Sequence, residues 1–456
     1  MDKNQGANLG ESRENFSSSF GLLAAAVGSA VGLGNIWRFP YITGVYGGGA
    51  FLVVYLGIVA IIGLPLMIGE FVIGREGRKD AIGSFKALAP GKPWFASGVL
   101  GVLAAFFILS FYGVVAGWTL EYIVKAATNS FVGQSGEQIT NMFVNFISDP
   151  IRPIIWQVVF MAITGLIVST GVQEGIEKFA KVMVPMLLLI IIILDIQALR
   201  LPGGMAGIDF LFKPDFTKLT KEGVLAALGH AFFSLSLGMG IMITYGSYID
   251  KKENLGKMAI NISIADTLIA LLAGVAIFPA VFAFGVEPTS GAGLVFMALP
   301  NVFPQMPGGY IFGVLFFTLL AVAALTSTIS LLEVVVAYLV DTHKVERKKA
   351  AILSAVVITL IGMVASLSNG VLGHIKIFGD NIFDFIDHTT ANYFLTFAAL
   401  ISVIFLAWNL DKRVVEKQLT NDGTVKANYM GIFFFLVKFV APIGIVLVFL
   451  FQVGLL

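Results

Sequence analysis

Long apolar stretches alternate with short polar connections along the whole chain, and about eleven of the stretches are long enough to cross a bilayer, at roughly 20 residues each. They lie near 17–42, 46–74, 95–125, 153–171, 176–199, 222–249, 256–285, 308–340, 349–367, 382–409 and 429–455. Two of them are interrupted by residues that a spanning helix has reason to avoid. The first runs into Gly28-Ser29-Ala30-Val31-Gly32-Leu33-Gly34-Asn35-Ile36-Trp37-Arg38-Phe39-Pro40, and the sixth carries Phe233-Ser234-Leu235-Ser236-Leu237-Gly238-Met239-Gly240. Lipid offers no hydrogen bonds, so unwound backbone at that depth must line a protein cavity or a wet site. A helix broken there leaves free carbonyls on one half and free N–H groups on the other, able to hold a cation beside a zwitterion. For one such span, close packing through small residues is the simpler account. Two interrupted spans five helices apart, starting from opposite sides, instead predict an inverted repeat with a binding site between the breaks.

Composition agrees with a polytopic membrane protein: 57% of residues are hydrophobic, 12% are charged and the mean hydropathy is +0.90. The formal net charge of +1 gives no reason to expect nucleic acid. The absence of cysteine excludes disulfides, zinc–thiolate sites and thiol chemistry. No basic n-region precedes a short apolar core, so the first span is expected to act as an uncleaved signal.

Alternate loops differ in basic residues. One set holds Arg75, Arg78, Lys79, Lys86 and Lys92, then Lys178 and Lys181, Lys251, Lys252 and Lys257, Lys344 to Lys349, and Lys412 to Lys426. The other set is poorer, except between spans 5 and 6, where Arg200, Lys213, Lys218 and Lys221 occur. The positive-inside rule places the N-terminus in the cytoplasm of a cell-membrane protein. An odd number of spans then puts the C-terminus outside, and a re-entrant or twelfth segment would reverse that.

The segment Gly28 to Pro40 resembles the neurotransmitter:sodium symporters, and within them the bacterial amino-acid branch. So do Gly47-Gly48-Gly49-Ala50-Phe51, Gly63-Leu64-Pro65-Leu66, Glu70, Tyr112, the break in span 6 and Leu325-Thr326-Ser327. The likeness extends from Arg13 to about Trp408 and is greatest to multi-hydrophobic amino-acid carriers. It departs from the family in two places: the usual twelfth helix is absent, and Asp266 stands where an Asn is common. The implied fold is all-α, with a five-plus-five inverted repeat and broken helices 1 and 6. Its parts would be a cytoplasmic tail and inner gate at 1–16, a first repeat at 17–199, a second at 222–409, and helix 11 at 429–455. The implied activity is sodium-coupled import of neutral hydrophobic L-amino acids by alternating access. A proton-coupled exchanger and a sensor that binds without carrying remain alternatives on the same scaffold.

The resemblance implies two sodium ions. One would take the carbonyls of Gly28, Val31 and Ala323 with the hydroxyls of Thr326 and Ser327; alone, that hydroxyl pair could equally bond back to its own helix. The other would take the Ala30 carbonyl, Asn35, Ser234 and Asp266. An acid at membrane depth is functional by default, and its fixed charge implies no chloride requirement. An alignment slip of one turn would transfer the role to Asn261.

The solute carboxylate is expected near Leu33 and Gly34, with the Tyr112 hydroxyl as a further donor, and the amine at carbonyls around Ala30, Phe233 and Ser236. Monoamine carriers of the family have an Asp at the position of Gly32. Its absence favours an α-amino acid, whose side chain would pack on Ile108, Phe233, Met239, Ser327 and Leu331, although for Ile108, Met239 and Leu331 singly plain packing is the simpler account. Ser234 borders both solute and ion. By the same resemblance Arg38 and Asp387 form an outer gate above a Phe233 lid, and Arg13 pairs with Asp341 at an inner gate beside Tyr248, with Phe16 as a plug. Gly175 and Pro185 bracket a hinge in span 5; Pro removes a backbone hydrogen bond and Gly loosens the turn. Local unwinding there would open a water path to the Thr326–Ser327 ion, the alternative being a static kink.

No phosphate-binding Gly-rich loop follows a strand, so ATP-driven export and dinucleotide binding are not expected. The histidines have no metal-ligand spacing, and His230 reads as a buried polar residue. Asp195 and Asp266 are the candidates for an intramembrane acid pair, and Asp195 falls near a helix end, which gives an enzyme little support.

Overall fold

The computed structural model describes residues 14–285 and 294–456. The apolar stretches fold as helices whose ends follow the sequence pattern. Among the described residues nine are long and apolar enough to cross a membrane: Gly49–Gly77, Phe95–Ala127, Arg152–Ser169, Val172–Leu199, Leu255–Ala283, Gly309–His343, Arg347–Leu367, Ile382–Asn409 and Met430–Gln452. A tenth is the bent pair Ser19–Ala30 and Gly34–Val45, which turns by 47° at its break and forms span 1. Span 6 is split into Lys221–Ser234 and Ile241–Ser247, each half too short to cross alone. Apolar side chains on the lipid side of spans 4, 5, 9 and 11, such as Leu166, Leu189, Leu360 and Ile443, stay exposed because hydrocarbon is their solvent.

The breaks have local causes. In span 1, Val31 leaves the helix with φ −80° and ψ 98°, and a wide π-helical turn over Gly34–Arg38 restarts it. In span 6, Ser236, Gly238 and Gly240 all take positive φ, at 56°, 76° and 74°. Glycine enters that region without a steric penalty, and two glycines here let the chain turn twice within five residues. The carboxylate of Glu70, on span 2, accepts the Gly238 N–H at 2.8 Å and so satisfies one of the freed donors. Glu70 is itself buried.

Spans 1 and 6 lie inside the bundle, with span 1 packed against spans 5, 7 and 8. Span 3, the longest contact of span 8, lines the other side of the centre. Short helices sit outside the spans. Ala81–Leu88 is capped by Asp80, which accepts from the Ile82 and Gly83 N–H groups. Burial holds the Asp80 carboxyl above its usual range against the opposing pull of those bonds. Gly136–Ser148 begins with a reciprocal Ser135–Gln138 capping box. After the undescribed residues, Leu294–Ala298, Leu299–Val302 and Phe303–Gln305 lead into span 8. Here Phe296 stacks on Phe143 with centroids 5.4 Å apart and meets Trp37 edge-on at 6.1 Å.

Candidate solute and ion sites

A cavity lies between the two breaks. It is lined by Ala30, Gly32, Gly34, Ile108, Tyr112, Phe233, Ser234, Ser236, Met239, Ser327 and Leu331, together with Ser29 and Ile241. Of the residues expected around the solute only Leu33 does not line it. Leu33 instead contributes its backbone: its N–H donates to the Tyr112 hydroxyl at 2.9 Å. The close approach of spans 3 and 8 to span 1 depends on Gly32. A Cβ there would sit 2.4 Å from Ser327 Oγ and 2.7 Å from the Tyr112 hydroxyl. Gly34 likewise faces the Phe233 ring, 3.4 Å from where its Cβ would be.

Ser29 was missed by the sequence. Its carbonyl accepts from Ser236 Oγ at 3.1 Å and from Ser327 Oγ at 3.2 Å, joining spans 1, 6 and 8 at one atom. The break itself was legible, but which carbonyl turns inward depends on the backbone dihedrals at Ala30 and Val31, and residue types do not encode those.

Beside the cavity is a fully buried polar cluster. Asn35 Nδ2 donates to Asp266 Oδ1 at 2.7 Å and to the Asp266 carbonyl at 3.1 Å. Asn35 Oδ1 accepts the Gly32 N–H at 3.1 Å. Ser234 Oγ lies 2.9 and 3.0 Å from the two Asp266 carboxylate oxygens. Tyr55, from span 2, donates to Asp266 Oδ2 at 3.3 Å. Asp266, not Asn261, is therefore the residue of span 7 that faces the break. Tyr55 had no signal in the sequence, being a lone tyrosine in an apolar run. His230 packs between Tyr55 and Phe39, at 5.4 and 5.9 Å between centroids, and its ring nitrogens have no partner among the described residues.

On the side of the cavity towards the first half of span 1, Thr326 Oγ1 lies 3.0 Å from the Ala323 carbonyl and 3.4 Å from that of Val31. Gly28 approaches the same threonine, whose Cβ lies 3.2 Å from the place a Cβ of Gly28 would occupy. The Thr326 hydroxyl thus bonds to its own helix and also faces span 1. Ser327 turns its hydroxyl to Ser29.

The outer gate differs in state from the expected pairing. Among the described residues no direct ion pair joins Arg38 and Asp387; the Arg38 guanidinium lies over the Phe233 ring at 5.2 Å instead. This cation–π contact holds the guanidinium over the lid. Arg13 lies outside the described residues. Asp341 accepts the Asp80 N–H at 2.7 Å. Phe16 packs edge-on against Tyr245 and Tyr248, at 5.7 and 6.2 Å. Tyr248 donates to Glu333 at 2.7 Å, and Glu333 pairs with Arg347 at 2.6 Å. This inner network was not anticipated, although a glutamate inside span 8 was itself a signal.

Gly175 and Pro185 lie in a fully wound span 5. Val172–Glu177 forms a π-helical turn that continues into Lys178–Leu199 with Pro185 inside. The expected unwinding is therefore absent from this conformation. Glu177 explains part of that: its carboxylate takes the Ser17 N–H at 2.7 Å and the Ser17 and Ser18 hydroxyls at 2.6 and 2.9 Å, and pairs with Lys181 at 2.6 Å.

Two helices broken against each other at a cavity, with a buried carboxylate beside it in an all-helical membrane bundle, define a secondary transporter rather than an enzyme. The chain belongs to the sodium:neurotransmitter symporter family, whose family model matches residues 13–145 and 149–455. It is therefore a sodium-dependent, multi-pass membrane transporter. A sodium-dependent transporter of Bacillus subtilis is 41% identical over 441 residues, covering 97% of this chain and 98% of that one. Another, of Haemophilus influenzae, is 36% identical over 449 residues, covering 96% and 98%. The crystal structure of MhsT in complex with L-phenylalanine superposes with a TM-score of 0.89 at 46% identity, covering 96% of this chain and 99% of that one.

Proposed function

We propose that the protein imports neutral hydrophobic L-amino acids, aliphatic and aromatic, coupled to two sodium ions and without chloride. The observation that carries this reading is the cavity at Gly32. There the bare backbone of Gly32 lets Ser327 Oγ and the Tyr112 hydroxyl come close to span 1, and the cavity has apolar walls at Ile108, Met239 and Leu331. The structure of MhsT with L-phenylalanine supports it.

In this reading the solute carboxylate meets the start of the outer half of span 1 at Leu33 and Gly34. The Tyr112 hydroxyl, already accepting from Leu33, offers its proton to that carboxylate. The amine meets carbonyls of the two breaks around Ala30, Phe233 and Ser236, with Ser29 added to them. One sodium ion takes oxygens from Gly28, Val31, Ala323, Thr326 and Ser327. The other takes Ala30, Asn35, Ser234 and Asp266, and Asp266 supplies the negative charge that would otherwise be asked of chloride. Sodium needs hard oxygens and no ligand field, so carbonyls, hydroxyls and one carboxylate suffice. Arg38, Asp387 and Phe233 close the outer side; Phe16, Tyr248, Asp341 and Arg13 close the inner. The basic loops support a cytoplasmic N-terminus.

The test is uptake of radiolabelled L-phenylalanine and L-leucine into proteoliposomes under an imposed sodium gradient, with chloride replaced by gluconate. Accumulation that follows the sodium gradient and survives chloride removal is expected. Uptake driven by a pH gradient and indifferent to sodium would replace this reading with an exchanger, and binding without accumulation would replace it with a sensor.

A further inference from the structure

A second cavity lies away from the breaks, between the outer end of span 3 and the entry to span 8. Its volume is about 170 Å³, and its walls include Ala126, Phe131, Val132, Phe303 and Tyr310, with Asn129 as a polar edge. No charged residue lines it. Val132 and Tyr310 stand half exposed, at 54% and 51%, so their side of the cavity is open. Ala126, Phe131 and Phe303 are buried.

Size and lining select the occupant. A cavity of about 150 Å³ walled by apolar side chains takes up benzene. This one is slightly larger and adds polar groups on one side only. The Tyr310 hydroxyl donates to the Ala127 carbonyl at 3.1 Å, so its oxygen can still accept a hydrogen bond. Asn129 has no side-chain hydrogen bond among the described residues and can offer both an amide N–H and a carbonyl. A ring with one small uncharged polar substituent fits that division; a charged amino acid does not, because nothing here pairs a carboxylate or an ammonium.

The walls connect with the outer lid. Phe131 stacks on Tyr122 at 5.8 Å, Phe303 meets Phe317 at 6.0 Å, and both Tyr122 and Phe317 pack on Phe296, at 5.1 and 6.1 Å. Phe296 in turn touches Trp37, the neighbour of Arg38. A ring bound in the cavity braces two walls of the cluster that this lid must leave when the outer side opens.

We propose that this cavity is an accessory binding site for a small neutral aromatic molecule, separate from the translocation path, whose occupancy slows outer opening. The probe is 4-fluorophenol, followed by fluorine NMR on the detergent-solubilised full chain, with sodium-driven L-phenylalanine uptake in proteoliposomes as the second readout. A bound resonance that persists at saturating L-phenylalanine is expected, with a lower maximal uptake rate at unchanged half-saturation. Ala126→Leu fills the cavity and Val132→Trp covers its mouth; each is expected to remove the bound resonance while uptake without the probe continues. Val132 is exposed, so its variant decides the matter if the buried one fails to fold. Displacement by L-phenylalanine, the same bound resonance in Val132→Trp, or no bound resonance in the native chain would overturn the site. Binding that leaves uptake unchanged would overturn its coupling to the lid.

Discussion

Asn35 and Asp266, 231 positions apart, meet at 2.7 Å in a place neither could occupy in lipid alone. Asn35 sits just beyond the break of span 1, and its other side-chain atom holds the Gly32 N–H. One amide thus ties the unwound backbone that shapes the solute cavity to the carboxylate proposed to face an ion. Under the proposed function this contact would couple ion and solute binding, because moving Asn35 would disturb both.

Removing the charge at this contact should separate the ions from the solute. Asp266→Asn keeps the shape and donates where the carboxylate accepts. Half-saturating sodium for L-phenylalanine uptake is expected to rise at least about tenfold, equivalent to about 1.4 kcal/mol. Titration of uptake against sodium with chloride present and absent is the measurement. Partial rescue by chloride is expected in the variant and no chloride effect in the native protein.

Tyr112→Phe removes the acceptor of the Leu33 N–H and the proposed donor to the solute carboxylate. A hydrogen bond to a charged group contributes about 1.5–3 kcal/mol net. The expected outcome is a rise of more than tenfold in half-saturating L-phenylalanine. A smaller effect on half-saturating sodium, measured in the same vesicles, would place the defect at the solute.

Gly32→Ala puts a methyl group where the Ser327 hydroxyl would be 2.4 Å away. Neither that serine nor Tyr112 can withdraw without giving up a bond to span 1. Equilibrium binding of radiolabelled L-phenylalanine should be lost, and the unfolding temperature in detergent should fall, since overpacking costs about 1–3 kcal/mol.

Glu70→Ala leaves the Gly238 N–H buried without its carboxylate acceptor. An orphaned buried donor costs about 1–3 kcal/mol. A lower unfolding temperature is expected, together with reduced solute affinity, because Gly238 belongs to the break that carries Phe233 and Met239. Glu70→Gln retains an acceptor and should recover most of both.

Opening of the inner side is expected to unwind residues 175–185. Hydrogen exchange there should quicken when sodium is replaced by potassium, and the change should vanish in Pro185→Ala, which restores a backbone donor inside the helix. Glu177→Gln weakens the hold on Ser17 and Ser18 and should raise exchange in the same segment even with sodium present.

Much of this protein was written along the chain. Bilayer thickness fixes the length of an apolar run, so the span ends could be read directly, and the cost of bare peptide groups in lipid made the two broken segments conspicuous. Gly32, Tyr112, Met239 and Asp266 could be singled out because each is unusual for its depth or matches a family motif. What folding alone decided is which distant groups share a point in space. The Ser29 carbonyl, the Tyr55 hydroxyl and the bond from Gly238 to Glu70 depend on dihedral angles and helix crossings, which no residue type announces. The state of the gates belongs there too: Arg38 rests on Phe233 instead of pairing with Asp387, and span 5 stays wound. A composition constrained by lipid specifies where helices lie. The few polar contacts between them are set by three-dimensional packing, since a hydrogen bond requires its partners within about 3 Å.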